Sequence, residues 1–563
     1  MVNFLRSLLL IFLFGNAIQP NYVLAQSDDF VTVWDLSLTG KDTDSLSFFT
    51  GYGGRIDYRW ESLSSSQFGS WQSTDKGRTV IKSLPKGEKI KLRIGAENLK
   101  EFSVYRSQSA SNLISVEQWG RAEWETMGNA FAGAKNLDIP AMDIPNLNKV
   151  TKMFSMFEDC GSLRNVTSIN QWNTSSVIYM NQMFSGASSF NQTINMWNTR
   201  NVINMNSMFW GASSFNQSIR DWDTKNVLDM TFMFGYANSF NQPLDKWNTS
   251  NVESMIGMFQ SAQVFNQSLN SWNTSKVNKM EAMFLEAFLF NGNISDWDVS
   301  NVESMGYMFA AAKKFNQPIG KWDVSKTKIM FDMFLNAASF NQPLGRWNVS
   351  NATDMTDLFD GAAAFNQPLS EWNTKNVKSM SSMFLNAKSF NQDIGSWNLS
   401  KIIPTNGLSN FLDNSGLDCI NYSASIKGWS SNVNTPANIK VGCKGLKYGT
   451  DAESARKALV TKGWIFVEDQ PQGSSCELLG TAVSTQGKIS EIVVSPNPAT
   501  RDFKITGLKD GSEIVIFNID GREVLKTNYS MENSIEIERL PRGVYILKMG
   551  SENSYGYTKL VLE

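Results

Sequence analysis

A tryptophan recurs every 25 residues through the middle of this chain. The ten positions follow one another without an insertion or deletion, at Trp172, Trp197, Trp222, Trp247, Trp272, Trp297, Trp322, Trp347, Trp372 and Trp397. A fixed period of about 20–50 residues is typical of a solenoid, in which each repeat buries its apolar side only by stacking on its neighbours. The period therefore predicts a stacked scaffold whose function lies on a surface rather than in one enclosed pocket.

Composition excludes several classes of function. The 51 basic and 53 acidic residues nearly cancel, and we find no basic run that would neutralise phosphates, so nucleic acid is not an expected partner. The chain has no histidine, which removes Ser-His-Asp and Cys-His nucleophile systems and the usual near-neutral general base. We therefore expect a protein that is not an enzyme and holds no cofactor or metal. Hydrolysis by a carboxylate pair and calcium binding through oxygen ligands remain open.

Residues 1–25 have the features of a secretory signal peptide. Arg6 supplies positive charge, an apolar run extends from Leu8 to Phe14, and small residues end the segment at Ala25. No later stretch approaches the length of a membrane-spanning helix, so we expect no transmembrane segment in the mature chain.

Within one repeat, the apolar residues are spaced mostly by three. They are Val252, Met255, Met258, Phe259, Ala262 and Phe265. This spacing predicts a short helix with one buried stripe, with Ser250 and Glu253 as its capping box. A short strand is predicted between Leu244 and Thr249. Each coil would then hold one strand and one helix, as in an α/β, leucine-rich-repeat-like solenoid.

We use "column" for equivalent positions in successive repeats. The methionine columns are interpreted as core packing rather than as metal ligands. The asparagine column from Asn191 to Asn391 is predicted to bond turn backbone or its own neighbours. Proline has no N–H, so a further column must lie outside any inter-coil ladder; it holds Pro243, Pro318, Pro343 and Pro368.

The motif Asn-Thr-Ser follows tryptophan in several repeats, at Asn173, Asn248 and Asn273. It matches an N-glycosylation acceptor. Because it keeps the phase of the coil, we interpret it first as turn and cap chemistry.

Large aromatic residues off the buried stripe are candidates for contact with a partner. They are Trp210, Phe232, Tyr236, Tyr307 and Phe331. The alternative interpretation is packing against the adjacent coil. Asp357 and Asp360, beside Asp354, come nearest to an acidic pair that breaks the repeat rules, although plain surface charges are the more ordinary explanation.

The repeat unit resembles that of BspA-family leucine-rich-repeat surface proteins of bacteria. The resemblance rests on Trp-Asn/Asp-Thr/Val-Ser-Asn-Val, Met-x-x-Met-Phe and Ala-x-x-Phe-Asn-Gln, and covers roughly residues 116–465. It implies degenerate N-terminal repeats at 116–171, nine full repeats at 172–400 and a capping region at 401–469. Cys160 stands where Ala187 stands one coil later, so it is predicted to be a buried small residue rather than a reactive thiol.

Three cysteines cluster after the repeats: Cys419, Cys443 and Cys476. An exported chain meets an oxidising compartment, where a disulfide between two of them is expected. We predict Cys419–Cys443, although the sequence alone does not fix the pairing.

Residues 489–563 alternate apolar and polar residues around tight turns, which predicts a small antiparallel β-sandwich. The segment also resembles the type A C-terminal sorting domain of type IX secretion cargo in Bacteroidetes. This resemblance implies recognition by the secretion machinery at the outer membrane, removal of the domain, and attachment or release at the cell surface. It also implies a set of residues that shape the recognised fold: Pro496, Asn497, Pro498, Gly521, Pro541, Gly543 and Tyr545.

Two further segments complete the domain organisation. Short alternating runs at 27–115 predict a β-sandwich, immunoglobulin- or PKD-like, that serves as spacer and N-terminal cap. Residues 470–488 are rich in polar and turn-forming residues and predict a linker.

The leading functional hypothesis is a surface-attached, non-catalytic adhesion scaffold that binds proteins or glycans of host or neighbouring bacterial cells. The alternatives are a carboxylate-dependent polysaccharide hydrolase and a passive coat or stalk protein.

Overall fold

The computed structural model describes residues 28–38, 43–51, 54–476 and most of 493–562, with gaps at 496–498, 500–501, 507, 519–521, 531–533, 538 and 552–553. The predicted signal peptide lies outside these residues.

The N-terminal domain consists of two antiparallel sheets. Its strands are β1 (Phe30–Asp35), β2 (Leu46–Thr50), β3 (Ile56–Ser62), β4 (Phe68–Thr74), β5 (Gly77–Ile81), β6 (Lys89–Ile94), β7 (Phe102–Ser103) and β8 (Leu113–Gln118). One sheet has the order β4-β3-β6-β1-β8 and the other β5-β2-β7. The rings of Phe30 and Phe102 lie 5.1 Å apart and join the two sheets. The predicted antiparallel β-domain is confirmed; its likeness to immunoglobulin or PKD domains stays a prediction.

The repeats form a solenoid whose coils are joined by a continuous parallel ladder. In each repeat one residue just before the first methionine bridges both neighbours, as Ser254 bridges Asp229 and Lys279. The ladder continues through alternate backbone N–H groups. Met255, Gly257, Phe259 and Ser261 donate to the carbonyls of Lys279, Glu281, Met283 and Leu285 at 2.6–3.0 Å.

The predicted helix in each coil is wrong. In the continuously described segment 54–476, no α-helix precedes Cys419. Gly257 and Ser261 have left-handed backbone (both φ 54), as do their counterparts in the other coils, and this conformation cannot continue a right-handed helix. The N–H groups between the ladder positions close four-residue turns by bonding the carbonyl three residues earlier, such as Met258 N to Met255 O. Successive turns bury every third residue, which is why the apolar pattern resembled a helix. With no helix to cap, Glu253 N donates to Leu228 O instead of joining a capping box.

The predicted strand position is also wrong. Residues 244–249 are not paired in the ladder; Trp247 N closes a turn on Leu244 O, and Asn248 Oδ1 accepts a bond from Ser250 N at 3.0 Å. The interpretation of Asn-Thr-Ser as turn chemistry is thereby confirmed, since Asn173 and Asn273 bond Ser175 and Ser275 in the same way.

Stacked aromatic columns fill the core of the solenoid. The indoles of Trp247 and Trp272 are 6.2 Å apart and nearly parallel, and Phe259 stacks on Phe265 at 4.0 Å within its coil. The methionines of the two methionine columns are buried among these rings. The prediction that the methionine columns are core packing is confirmed.

The asparagine column is confirmed as a ladder. Asn216 Oδ1 accepts bonds from Asn241 N at 3.0 Å and from Gln242 Nε2 at 3.1 Å. The same arrangement continues to Asn391, whose N donates to Asn366 Oδ1. Within the described coils, none of the four prolines of the proline column takes part in an inter-coil bridge, as expected.

The capping region ends the solenoid with two helices and short strands. They are α1 (Cys419–Ser431), β9 (Lys440–Gly442), β10 (Lys447–Tyr448), α2 (Glu453–Thr461), β11 (Ile465–Val467) and β12 (Gln470–Pro471). Asp418 caps α1 by accepting a bond from Asn421 N. Strand β12 pairs with β10, so ordered structure extends into the start of the predicted linker.

The predicted Cys419–Cys443 disulfide is wrong. Cys419 and Cys476 are the disulfide-bonded cysteines, whereas Cys443 is a buried free thiol. Its Sγ donates to Val467 O at 3.3 Å, and burial raises its pKa to about 12. Cys443 therefore belongs to the core of the capping region.

The C-terminal unit also consists of two antiparallel sheets around a core of its own. Its strands are β13 (Val493–Ser495), β14 (Asp502–Thr506), β15 (Glu513–Phe517), β16 (Glu523–Asn528), β17 (Ile535–Glu536), β18 (Gly543–Ser551) and β19 (Ser554–Leu562). The orders are β13-β14-β17 and β16-β15-β18-β19, and the core includes Phe503, Ile514 and Leu547.

Candidate functional site

The parallel ladder presents one continuous outer surface, which we call the ladder face. It consists of residues 204–211 and their counterparts in the following coils, up to 379–386. The side chains of its methionine and phenylalanine columns point into the core, and most residues between these columns lie at the surface. Two outward columns have left-handed backbone in every coil. Glycine accepts this conformation without cost, whereas a bulky side chain is an outlier there and costs on the order of 1–2 kcal/mol.

Three of the five predicted contact residues occupy these left-handed columns. Phe232, Tyr236 and Tyr307 have φ of 54°, 58° and 59°, although Gly257 and Gly211 show that the same columns accept glycine. The scaffold imposes left-handed backbone on these columns in every coil, so a bulky residue there adds strain that the fold itself does not need, and such strain concentrates at functional positions. The bulky residues at these positions therefore mark the ladder face as a candidate recognition surface.

The first exposed aromatic pair is Trp210 and Tyr236. These side chains are 41% and 40% exposed, and their rings meet edge to face with centroids 5.6 Å apart. Trp210 lies over Gly235, where an added Cβ would come within 2.8 Å of the indole. The pair offers an apolar surface fixed in position before any partner arrives.

The second pair lies about four coils further along and consists of Tyr307 and Phe331. The ring centroids are 5.0 Å apart at 84°, and Tyr307 is 39% exposed. Phe331 is half-buried over Gly306. Phe232 similarly covers Gly257. The alternative interpretation, packing against the adjacent coil, thus describes part of what Phe232 and Phe331 do.

An acidic group adjoins the second pair. Asp332 follows Phe331 directly, and its charge raises the pKa of the nearby Tyr307 hydroxyl. Burial, and then the charge of Asp357, raises the pKa of Asp332 to about 6. The same two causes raise the pKa of Asp360 to about 6, and burial raises the pKa of Asp357. Three half-buried carboxyl groups on neighbouring coils thus titrate above the ordinary range.

Sequence reasoning singled out Asp354, Asp357 and Asp360 but missed Asp332. The sequence could have identified Asp332, because it occupies the same column as Asp357 one repeat earlier. In the described residues no group of three or more Cys, Asp or Glu side chains is arranged to hold a metal ion.

Cys160 is buried, as predicted, and its Sγ donates to Phe131 O at 3.2 Å. Burial raises its pKa well above the usual range. A thiol that stays protonated is a poor nucleophile, so the interpretation of Cys160 as a small core residue is supported.

Three of the predicted sorting-motif residues can be placed in the C-terminal unit. Gly543 begins β18, and the hydroxyl of Tyr545 donates to Pro541 O. This bond closes the turn before the longest hairpin of the unit. Pro496, Asn497, Pro498 and Gly521 lie outside the described residues.

No helix among the described residues has both the length and the apolar character needed to cross a bilayer. No curated protein matches the chain.

Two family profiles match the chain. The profile described as "Mycoplasma protein of unknown function, DUF285" matches residues 102–203, 125–246, 192–287, 267–364 and 316–416, which together cover more than half of the chain. The profile described as "Secretion system C-terminal sorting domain" matches residues 493–563. Such a domain engages the type IX secretion machinery and directs the protein to the cell surface or beyond. The chain belongs to the DUF285 family, whose repeats are related to those of BspA, and carries a type IX sorting domain at its C-terminal end.

Proposed function

We propose that this chain is a non-catalytic adhesion protein of the cell surface, and that the ladder face binds proteins or glycans of host or neighbouring bacterial cells. The observation that carries the proposal is the presence of exposed aromatic side chains on left-handed backbone, at positions where the same columns accept glycine. Aromatic residues held rigidly at a surface are the usual anchors of binding interfaces.

The spacing of the two aromatic pairs suits an extended partner. Four coils separate them, roughly 20 Å at the usual spacing of paired strands. A partner that contacts both pairs gains two anchors on one rigid scaffold, and it binds more tightly than a partner that reaches only one.

The direct test is retention of the full secreted chain on immobilised mucin glycans and matrix proteins. Its variant W210Q/Y236S/Y307A/F331T places in each position the residue of the same column in a nearby coil: Gln260, Ser261, Ala282 and Thr356. Since anchor residues typically contribute about 2 kcal/mol or more each, we expect retention to fall by at least about tenfold.

A matched control removes two exposed aromatics from the N-terminal domain, as F68S/W71Q; these side chains are 74% and 48% exposed. It should leave retention unchanged. Equal loss in both variants would indicate general adhesion of apolar surface, and no retention of the native chain on any partner would favour the coat hypothesis.

A second candidate, a carboxylate-dependent polysaccharide hydrolase, has one observation in its favour. Asp332 and Asp360 have a raised pKa of about 6, and an acid of that kind can donate a proton near neutral pH. We expect no release of reducing ends from a polysaccharide panel. Release that disappears in D357N would overturn the non-catalytic proposal.

A further inference from the structure

A groove crosses three coils at the proline column, in a different part of each repeat from the ladder face. It is open to solvent and has a volume of about 680 Å³, within the usual range of ligand sites, about 300–1,000 Å³. We call it the proline groove. Its main lining residues are Pro318, Pro343, Pro368, Lys321, Arg346 and Glu371.

Missing side chains create the groove. Gly320 and Gly345 occupy a column that holds Arg220, Asp245 and Asn270 in earlier coils. A Cβ added to Gly320 would lie 2.4 Å from Pro343 O, and one on Gly345 would lie 3.2 Å from Pro368 O. Close backbone approach therefore favours glycine here, and the space above it stays open.

Two cations line the groove on successive coils. Lys321 and Arg346 are both exposed, and neither forms an ion pair with any residue that the structure describes. Lys246 occupies the same column as Lys321 and Arg346 but does form an ion pair: its Nζ lies 2.6 Å from Asp221 Oδ1 in the preceding coil. Arg220 is likewise paired with Asp245 at 2.6 Å. Glu371 is the one carboxylate among the groove's lining residues, so the lining carries net positive charge, which attracts an anionic ligand.

The floor of the groove favours a sugar chain over a peptide. Proline supplies no N–H, so at Pro318, Pro343 and Pro368 the floor presents ring carbons and a carbonyl group but no backbone donor of the kind that an added β-strand needs. A sugar chain can place its apolar C–H faces on the prolines and donate its hydroxyl groups to the carbonyls.

We propose that the proline groove binds an acidic polysaccharide, with carboxylate or sulfate groups of the chain against Lys321 and Arg346. The proposal rests on the proposed function of the solenoid as a binding scaffold and names a second ligand class for it.

The test measures binding of the full secreted chain to polygalacturonate, dextran sulfate, neutral dextran and poly-L-glutamate at several salt concentrations. Polygalacturonate and dextran sulfate separate carboxylate from sulfate as the recognised group. We expect at least one of the two to bind, more weakly as salt increases, and neutral dextran not to bind. Removing both cations in K321S/R346S should weaken binding about tenfold.

The matched control is R220S/K246S, which removes the same charge from paired cations and should weaken binding less than about twofold. Equal loss in both variants would show general attraction to net charge and overturn the proposal. Equal affinity for poly-L-glutamate, with the same loss in K321S/R346S, would replace the polysaccharide with an acidic protein.

Failure of this inference is distinguishable from failure of the proposed function. If no polyanion binds while mucin or matrix retention persists, only the proline groove is wrong. If polyanions bind but the aromatic variant keeps full retention, only the ladder face is wrong.

Discussion

The indole Nε1 of Trp247 donates a hydrogen bond of 3.0 Å to the backbone carbonyl of Ile219, 28 residues earlier and in the preceding coil. The same bond recurs along the column, for example from Trp272 to Leu244 and from Trp297 to Leu269. Each tryptophan from Trp197 to Trp397 thus joins two coils by a polar contact inside an apolar core. The tryptophan period is a requirement of the scaffold.

Replacing Trp247 by Phe should destabilise the protein by about 1–3 kcal/mol. The substitution leaves the buried Ile219 carbonyl without its partner, and an unpaired buried polar group has a cost of that size. The measurement is the free energy of unfolding in urea. Trp210→Phe, the same substitution at an exposed position, should stay within about 0.5 kcal/mol of native; equal effects at both positions would show that the indole bond contributes nothing.

Replacing Ala282 by Gly should stabilise the protein by about 0.5–1 kcal/mol. Ala282 has left-handed backbone (φ 55), and there the relief of Cβ strain exceeds the entropy that glycine loses on folding. Ala287 in the same coil is buried and does not have positive φ, so Ala287→Gly should destabilise by about 1 kcal/mol. The thermal midpoints should therefore move in opposite directions. A fall for both variants would contradict the left-handed assignment.

The fold was partly predictable from the sequence, and the predictions that were wrong have a physical cause. The 25-residue period and the buried Met, Phe and Trp columns follow from spacing alone. The turn-based ladder did not, because Ser261, Glu286 and Asn386 occupy left-handed positions that are recognisable in a sequence only when glycine fills them. The disulfide was missed because Cys476 lies in a segment interpreted as a linker. Of the candidate site, the aromatic residues were found as breaks in the columns, whereas Asp332 was overlooked beside Phe331.

Replacing Asp332 by Asn should change how stability depends on pH. The pKa of Asp332 is about 6 in the folded protein against an ordinary value of 3.8, so the folded state binds the proton more tightly. Its stabilising contribution is therefore complete below about pH 4 and is lost as the pH rises through 6. D332N should match the native chain near pH 4 and exceed its stability at pH 7.5, by about 1 kcal/mol after solvent screening.

The control for this prediction is Gln182→Asn, a substitution in the same left-handed column that removes no titratable group. The difference in free energy of unfolding between this variant and the native chain should stay the same from pH 4 to pH 7.5. If the difference in free energy of unfolding between D332N and the native chain is equally constant, burial of Asp332 has no energetic consequence.

The central claim is that the repeating residues build the scaffold and that residues breaking the columns recognise the partner. Its most direct test compares W247F with W210Q/Y236S/Y307A/F331T in one experiment that records both the unfolding midpoint and retention on mucin glycans and matrix proteins. The account predicts that the four-site variant keeps its midpoint and loses retention, whereas W247F loses stability yet retains its partner below its own midpoint. Loss of retention in W247F while it is still folded, with full retention in the four-site variant, would contradict the claim.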